Sequence, residues 1–454
     1  MLTQPTLPSR PRQLLLSNAA DAGVSRSVLP GGIRVVTERV PGVRSASIGV
    51  WVGVGSRDED PAVAGAAHFL EHLLFKATPT RSALEINQSL EAVGGELNAF
   101  TSKEHTCFYA HVIDEDLAMA IDVVSDVVLR GLCREADVDL ERQVVLEELA
   151  MRDDDFEDLV GDALLEALFG SDAIGRPIIG TEDTVMSMGQ EALHTFHVQR
   201  YTPEKMVIAV AGNIEHDEVV RLITAAFADS IDPDIEPAPV RAGERDLVTK
   251  PGTTVIHRKS EQTHLAIGAQ AFGRHDLRHR WPLAVLNTVI GGGLSSRLFQ
   301  EIRETRGLAY SVYSGVDTFS DTGTFSVYAG CQPEHVAEVA GLIRDVLSDV
   351  ALNGITESEC SRAKGSLRGG LVLGLEDSSS RMNRIGRSEL NYGKHHSVSS
   401  VLERIADVTP EQVAEVARIV LSRPFALAVV GPYKKKSQVP AELRALAGQG
   451  FLPG

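Results

Sequence analysis

The residues of this chain best equipped for chemistry are His68, Glu71 and His72, in the segment His68-Phe69-Leu70-Glu71-His72. On a helix, histidines four apart stand on one face, a turn from each other. Two ligands of one metal ion need that arrangement. Glu71 lies beside them, a carboxylate able to accept and return a proton. The surroundings favour a helix: residues 61–75 read PAVAGAAHFLEHLLF, with Val63, Ala67, Leu70 and Leu74 spaced to form one apolar stripe. A helix whose histidines merely hydrogen-bond locally would show the same spacing.

The order is the mirror of His-Glu-x-x-His and matches the H-x-x-E-H arrangement found among zinc-peptidase motifs. A catalytic zinc needs a third protein ligand and an open position for water. The helical pattern over residues 135–167 offers candidates. Glu141 and Glu148 are seven apart, close to two turns, and share a face; Glu147 lies about 100° round from Glu148. With Val144, Val145, Leu146 and Leu149 nearby, this face suits a buried site in which one carboxylate binds and the other orients a ligand or the water. Acids are dense here, so spacing alone does not choose between the two, and a solvated acidic face has the same pattern.

These residues must be carried by a larger frame. The stretch 229–246, DSIDPDIEPAPVRAGERD, has three prolines and little apolar content and reads as a linker. The two halves it separates are alike. Ile48, Val50, Val52 and Val54 alternate with Gly49, Trp51 and Gly53 in the first; residues 254–256 and 264–268 play that part in the second. Long helical patterns follow, and each half closes on an apolar strand, MVIAVAG (206–212) or FALAVVG (425–431). The expectation is an α+β fold of two similar domains from an internal duplication, each a mostly antiparallel sheet with helices on one side. The boundaries are an N-terminal extension (1–28), a metal-bearing domain (29–228), the linker (229–246) and a second homologous domain (247–454).

Composition narrows the partners. With 62 acidic against 44 basic residues the net charge is −18, which argues against nucleic-acid binding. No run of apolar residues is long enough for a membrane span, and Leu14-Leu15-Leu16 is too short for a secretory core. Cys107, Cys133, Cys331 and Cys360 include no CxxC pair and read as reduced thiols. The first 28 residues, with Arg10, Arg12 and Arg26 and no acid before Asp21, resemble a mitochondrial presequence faintly; a floppy extension is the simpler reading. The Gly291-Gly292-Gly293 run lacks the Gly-Lys-Ser/Thr ending of a phosphate loop and reads as a tight turn.

HFLEH, followed by GGELNAFTSKEHTCFY and ERQVVLEEL, resembles the pitrilysin and mitochondrial processing peptidase family of inverted-motif zinc metallopeptidases, which includes insulin-degrading enzyme. The resemblance runs from about residue 31 to 432 and includes GRPIIGTED, YTPEKMVIAVAGN and GGGLSSRLFQEIRETRGLAYSVYS. It implies a half-size member similar to the β subunit of processing peptidase and its bacterial relatives. One departure is Asp172-Ala173, where the family often has His-Pro. The family's third ligand falls 76 positions after the second histidine, on Glu148, and its supporting glutamate falls on Glu141. The resemblance thus implies one Zn²⁺ per chain on His68, His72 and Glu148, with Glu71 passing the water's proton to the leaving amine. It makes Asn98, Ala99 and Phe100 an edge that aligns substrate as an added strand. It makes Arg303 and Tyr310 the pair that holds the substrate carbonyl and its oxyanion. Asp158 and Asp162, ten and fourteen positions after Glu148, would favour basic residues near the cleavage site, though a solvated acidic face explains them equally.

The expected activity is zinc-dependent endopeptidase action on peptides or unfolded segments. The family encloses its substrates in a chamber of four such domains, so the resemblance implies a homodimer, or a heterodimer with a non-catalytic homologue. The alternatives are a mitochondrial presequence-processing subunit and a non-catalytic structural or peptide-binding core subunit; the latter predicts a degraded motif. The Ala-, Val- and Arg-rich sequence points to a bacterial cytoplasm rather than the mitochondrial matrix.

Overall fold

Period-two alternation gives the first sheet two faces, both of which the chain buries. The computed structural model describes residues 10–17, 23–230, 232–243, 247 and 249–452. By contacts the chain forms two units. One comprises Met1–Leu149, Pro177–Arg241 and Val372–Ser397; the other comprises Ala150–Arg176, Ala242–Leu371 and Val398–Gly454. Each expected half therefore lends one segment, 150–176 or 372–397, to the unit built mainly from the other half.

The first unit holds a seven-stranded sheet of β1 (Arg10–Ser17), β2 (Gly23–Val28), β3 (Arg34–Arg39), β4 (Ser45–Val52), β5 (Glu96–Thr101), β6 (Thr106–Ile113) and β7 (Met206–Gly212). Their order is β1-β2-β3-β7-β4-β6-β5, with only β3 and β7 parallel. The second unit holds β8 (Thr253–His257), β9 (Thr263–Ala271), β10 (Ala309–Thr318), β11 (Gly323–Cys331) and β12 (Ala426–Gly431), ordered β10-β11-β9-β12-β8, with only β8 and β12 parallel. Read from the other edge, β8-β12-β9-β11-β10 repeats β3-β7-β4-β6-β5 strand for strand. The shared order, with its one parallel pair in the same place, is that of a duplicated, mostly antiparallel α+β unit.

The alternating sets separate as their period requires. Ile48, Val50 and Val52 enter the main core with Ile208, Val210, Phe108 and the helix Leu117–Arg130. Trp51, Val207, Ala209 and Cys107 face the other way, onto Met382, Ile385 and Leu390 of the helix Ser378–Tyr392. The second sheet does likewise: Leu265, Ile267, Leu427 and Val429 face its main core, and Ala266, Ala428 and Val430 meet the helix Phe156–Phe169. A single helix thus covers the face opposite the expected helical layer in each unit. Close approach explains the glycines at these contacts. A Cβ on Gly386 would lie 2.3 Å from Trp51 Nε1, and one on Gly49 would lie 2.5 Å from Met382 Sδ.

The N-terminal expectation changes. Residues 10–17 and 23–28 are not a floppy extension; they pair as β1 and β2 and lengthen the first sheet, with Leu15 and Leu16 packed on the Trp51 cluster. An apolar triplet too short for a secretory core suffices to seat an edge strand. Residues 1–9 and 18–22 of that stretch, 231 and 244–246 of the linker, and 248 and 453–454 of the second half lie outside the described residues. Within the linker Arg241 is fastened to Asp58 at 2.7 Å.

Two glycine substitutions test the packing with opposite signs. Gly386→Ala drives a methyl group into Trp51 and should lower stability by about 1–3 kcal/mol. Gly161→Ala, in an exposed helical position with nothing within 4 Å of the added carbon, should raise it by about 0.5–1 kcal/mol. Chemical denaturation midpoints of the two variants read both effects.

Candidate metal centre

The histidines stand on the helix Ala66–Leu73, shorter than the 61–75 expected because residues 61–63 form a separate turn and Gly65 intervenes. Gly65 has φ 97°, and a Cβ there would meet Ile179 O at 2.6 Å, so only glycine fits. The buried Glu59 carboxylate accepts from the N–H groups of Gly65 and Ala67 at 2.8 Å each, placing negative charge at the amide end of the helix. Phe69, Leu70 and Leu73 are buried in the core. His68, Glu71, His72 and Phe75, at helical spacing, are left half-buried on the other face.

The helix Glu135–Asp154 supplies the opposing carboxylates. The long helical pattern expected over 135–167 breaks at Asp155, whose side chain caps the next helix by accepting from Glu157 and Asp158 N–H. Val138, Glu141 and Val145 are its buried residues; Glu148 continues that row, while Val144 is largely exposed. Two core valines thus fix the rotation of the helix that presents Glu141 and Glu148.

The atoms converge. His68 Nε2 lies 3.5 Å and His72 Nε2 3.3 Å from Glu148 Oε2. Among the described residues, these three side chains are the one group of histidine, cysteine or acid whose ligand atoms all lie within 4.8 Å of one another in a set fit to hold a metal. His72 Nδ1 is 3.2 Å from Glu141 Oε2, and Glu141 also pairs with Lys76. With its proton on Nδ1, given to Glu141, His72 turns the Nε2 lone pair toward Glu148. Burial, then the neighbouring His72, holds the His68 pKa down to about 4, so this imidazole is neutral near pH 7. One Glu148 oxygen thus lies within reach of both ring Nε2 atoms, so two imidazole nitrogens and a carboxylate oxygen can turn their lone pairs toward one point that a cation would share. Two imidazoles and one carboxylate are a donor set that suits zinc and leaves a coordination position open. The residues fit the ion.

Glu71 lies on the same helix face. Burial raises its pKa; a hydrogen bond from Thr101 Oγ1 to its Oε2, 2.6 Å long, opposes that rise. Asn98, Ala99 and Phe100 belong to β5, the outermost strand of the first sheet. Ala99 N–H donates to Asn98 Oδ1 at 2.8 Å, and the Phe100 ring packs edge-on to Trp51 at 5.6 Å.

In the second unit Arg303 and Tyr310 come together. Arg303 sits in a π-helical turn, Phe299–Glu304, and its guanidinium lies 4.6 Å over the Tyr310 ring while donating to the Tyr310 carbonyl at 2.8 Å. Tyr310 is 75% exposed on β10, the edge strand. The two candidate acids part company. Asp162 is engaged by Arg152 at 2.8 Å. Asp158 has its pKa raised by burial and then by Asp155, Asp162 and Glu157. Sequence reasoning had no role for Glu59, Lys76 or Thr101, because none carries a spacing signal relative to the histidines; Thr101 alone lay inside a segment already singled out.

The chain matches the family model described as Insulinase (Peptidase family M16) over residues 34–182, and that described as Peptidase M16 inactive domain over 187–367. It is 58% identical to an uncharacterized zinc protease of Mycobacterium leprae over 94% of this chain and 96% of that one. It is 51% identical to another of Streptomyces coelicolor, over 94% of each, and 38% identical to YmxG of Bacillus subtilis, over 90% of this chain and 98% of that one. A crystal structure of a protease from Helicobacter pylori superposes with a TM-score of 0.81 at 21% identity, covering 90% of this chain and 99% of that one. A peptidase M16 inactive domain from Pseudomonas fluorescens gives 0.81 at 19%, covering 90% and 98%. These two likenesses speak to the fold.

Removing the support differs from removing a ligand. Glu148→Ala should abolish stoichiometric zinc. Glu141→Gln should keep the ion but weaken its affinity by about 10–100-fold. Elemental analysis and competition with a chromophoric chelator distinguish the two.

Proposed function

The chain belongs to the M16 (insulinase) family and is a zinc protease, and on that premise we propose that it is an endopeptidase acting on peptides and unfolded segments, with one zinc per chain held by His68, His72 and Glu148. The observation that carries this reading is the convergence of those three side chains within 4.8 Å beside a half-buried Glu71. A zinc ion held there supplies Lewis acidity, making water a competent nucleophile near neutral pH. Glu71 takes the water's proton. Thr101 occupies its Oε2, so the proton falls to Oε1 and passes from there to the leaving amine. Glu141 keeps His72 turned for binding.

The substrate lies along β5 as an added strand, held by main-chain groups at Ala99 and Phe100 and steadied by Asn98. Arg303 and Tyr310 donate to the substrate carbonyl; the exposed phenol and the guanidinium stacked on it supply the donors such a role needs. A preference for basic residues near the cleavage site rests on Asp158, since Asp162 is already paired with Arg152. The functional particle is a dimer, as the four-domain chamber of the family requires. The chain works in a bacterial cytoplasm, which suits its four buried free cysteines. No helix among the described residues is long and apolar enough to cross a membrane.

Glu71→Gln is the direct test. It should retain zinc and lose about 10²–10⁴-fold in peptide hydrolysis; undiminished cleavage would remove Glu71 from the reaction. Sedimentation of the purified chain tests the assembly, and an active monomer would contradict the dimer.

A further inference from the structure

Glu71 reaches its site through three rotatable bonds from a helix whose position is set by other residues. A carboxylate that must meet a water beside a metal needs its rotamer fixed. The fixing contact is on the neighbouring strand. Thr101 Oγ1 donates to Glu71 Oε2 at 2.6 Å, the length of a charge-assisted O–H···O⁻ bond. The same hydroxyl oxygen lies 3.5 Å from Ala67 O, four residues before Glu71 on the same helix, so it sits against the backbone that carries its partner.

Thr101 is itself held on both sides. Its β-branched side chain has few χ1 choices. Across the ladder it pairs with Thr106, whose buried hydroxyl donates to Val54 O at 3.0 Å. Period two puts Thr101 on the face of β5 that bears Ala99, which is buried in the core shared with the histidine helix; Asn98 and Phe100 take the opposite face. The outermost strand and the helical carboxylate are thereby registered through one hydroxyl.

We propose that Thr101 is the positioning residue for Glu71, locking its carboxylate against β5 so that the base stands at a fixed place relative to the strand that receives substrate. The inference rests on the role given to Glu71 above and adds to it a residue that touches neither metal nor reacting atoms.

Thr101→Val keeps the branched shape and removes the donor; Thr101→Ser keeps the donor. With zinc-loaded protein and an internally quenched, unstructured peptide, Thr101→Val should bind zinc stoichiometrically and unfold at an unchanged denaturant midpoint. Its kcat should fall about 10–100-fold, the scale of one hydrogen bond to a charged group, with KM moving less than about twofold. Thr101→Ser should recover most of that kcat. Adding Thr101→Val to Glu71→Gln should cost nothing further, since the group being positioned is gone. The proposal is overturned by a Thr101→Val kcat within about twofold of the parent, by a loss that tracks lost zinc or lowered stability, by a serine variant as slow as the valine, or by a further loss in the double variant. Failure here is separable from failure of the functional reading: a fully active Glu71→Gln removes the base itself, whereas an inactive Glu71→Gln beside a fully active Thr101→Val removes only Thr101.

Discussion

Two imidazole rings and a carboxylate are held with their ligand atoms within 4.8 Å of one another, and the packing of two helices keeps them there. His68 is half-buried with its pKa held down, and the Nδ1 of His72 faces Glu141, so the Nε2 atoms of both rings are left to Glu148. The fold imposes the cluster through ordinary packing. Phe69, Leu70 and Leu73 turn one helix, and Val138 and Val145 turn the other, so the polar residues have no other direction to face.

Support for the cluster is layered outward from Glu148. Glu148 meets both rings, Glu141 holds one ring, and Lys76 holds Glu141. Glu59 caps the helix that carries the histidines, and Gly65 allows the chain to enter it under Ile179. The sum of these contacts is a preorganised cluster whose two histidines, Glu141 and Glu148 lie on two helices, with Glu59, Gly65 and Lys76 supporting them from the turns that flank the histidine helix.

The duplication sets two different groups of side chains on one scaffold. The five-strand order repeats, yet β10, the counterpart of β5, carries Tyr310 where an arginine from a π-helical turn stacks upon it. The same scaffold therefore presents the histidine–glutamate cluster in one copy and a stacked arginine–tyrosine pair in the other. Each sheet is also closed on its second face by a helix drawn from the opposite half of the chain, which makes Gly49, Gly386 and Gly268 close-approach positions rather than flexible ones.

The sequence by itself determined the type of chemistry and the frame. Histidines four apart with an adjoining glutamate share one helix face because helical periodicity is local, and the resemblance reads that face as a metal pair. The alternation around Trp51 names a two-faced strand for the same reason, and the repeated strand–helix pattern names the duplication. Choosing Glu148 over Glu141 is beyond spacing, since both share a face; the resemblance chooses Glu148, and in the folded chain Glu148 lies at both Nε2 atoms and Glu141 at His72 Nδ1. Only the folded chain revealed β1 and β2 as strands, the pairing of Asp162 with Arg152, and Thr101 and Lys76 as supports. Those facts depend on residues brought together from tens of positions apart, or on which of several nearby charges a guanidinium reaches first. Long-range contacts and competition among like groups leave no periodic trace in a chain; they are settled when the elements pack.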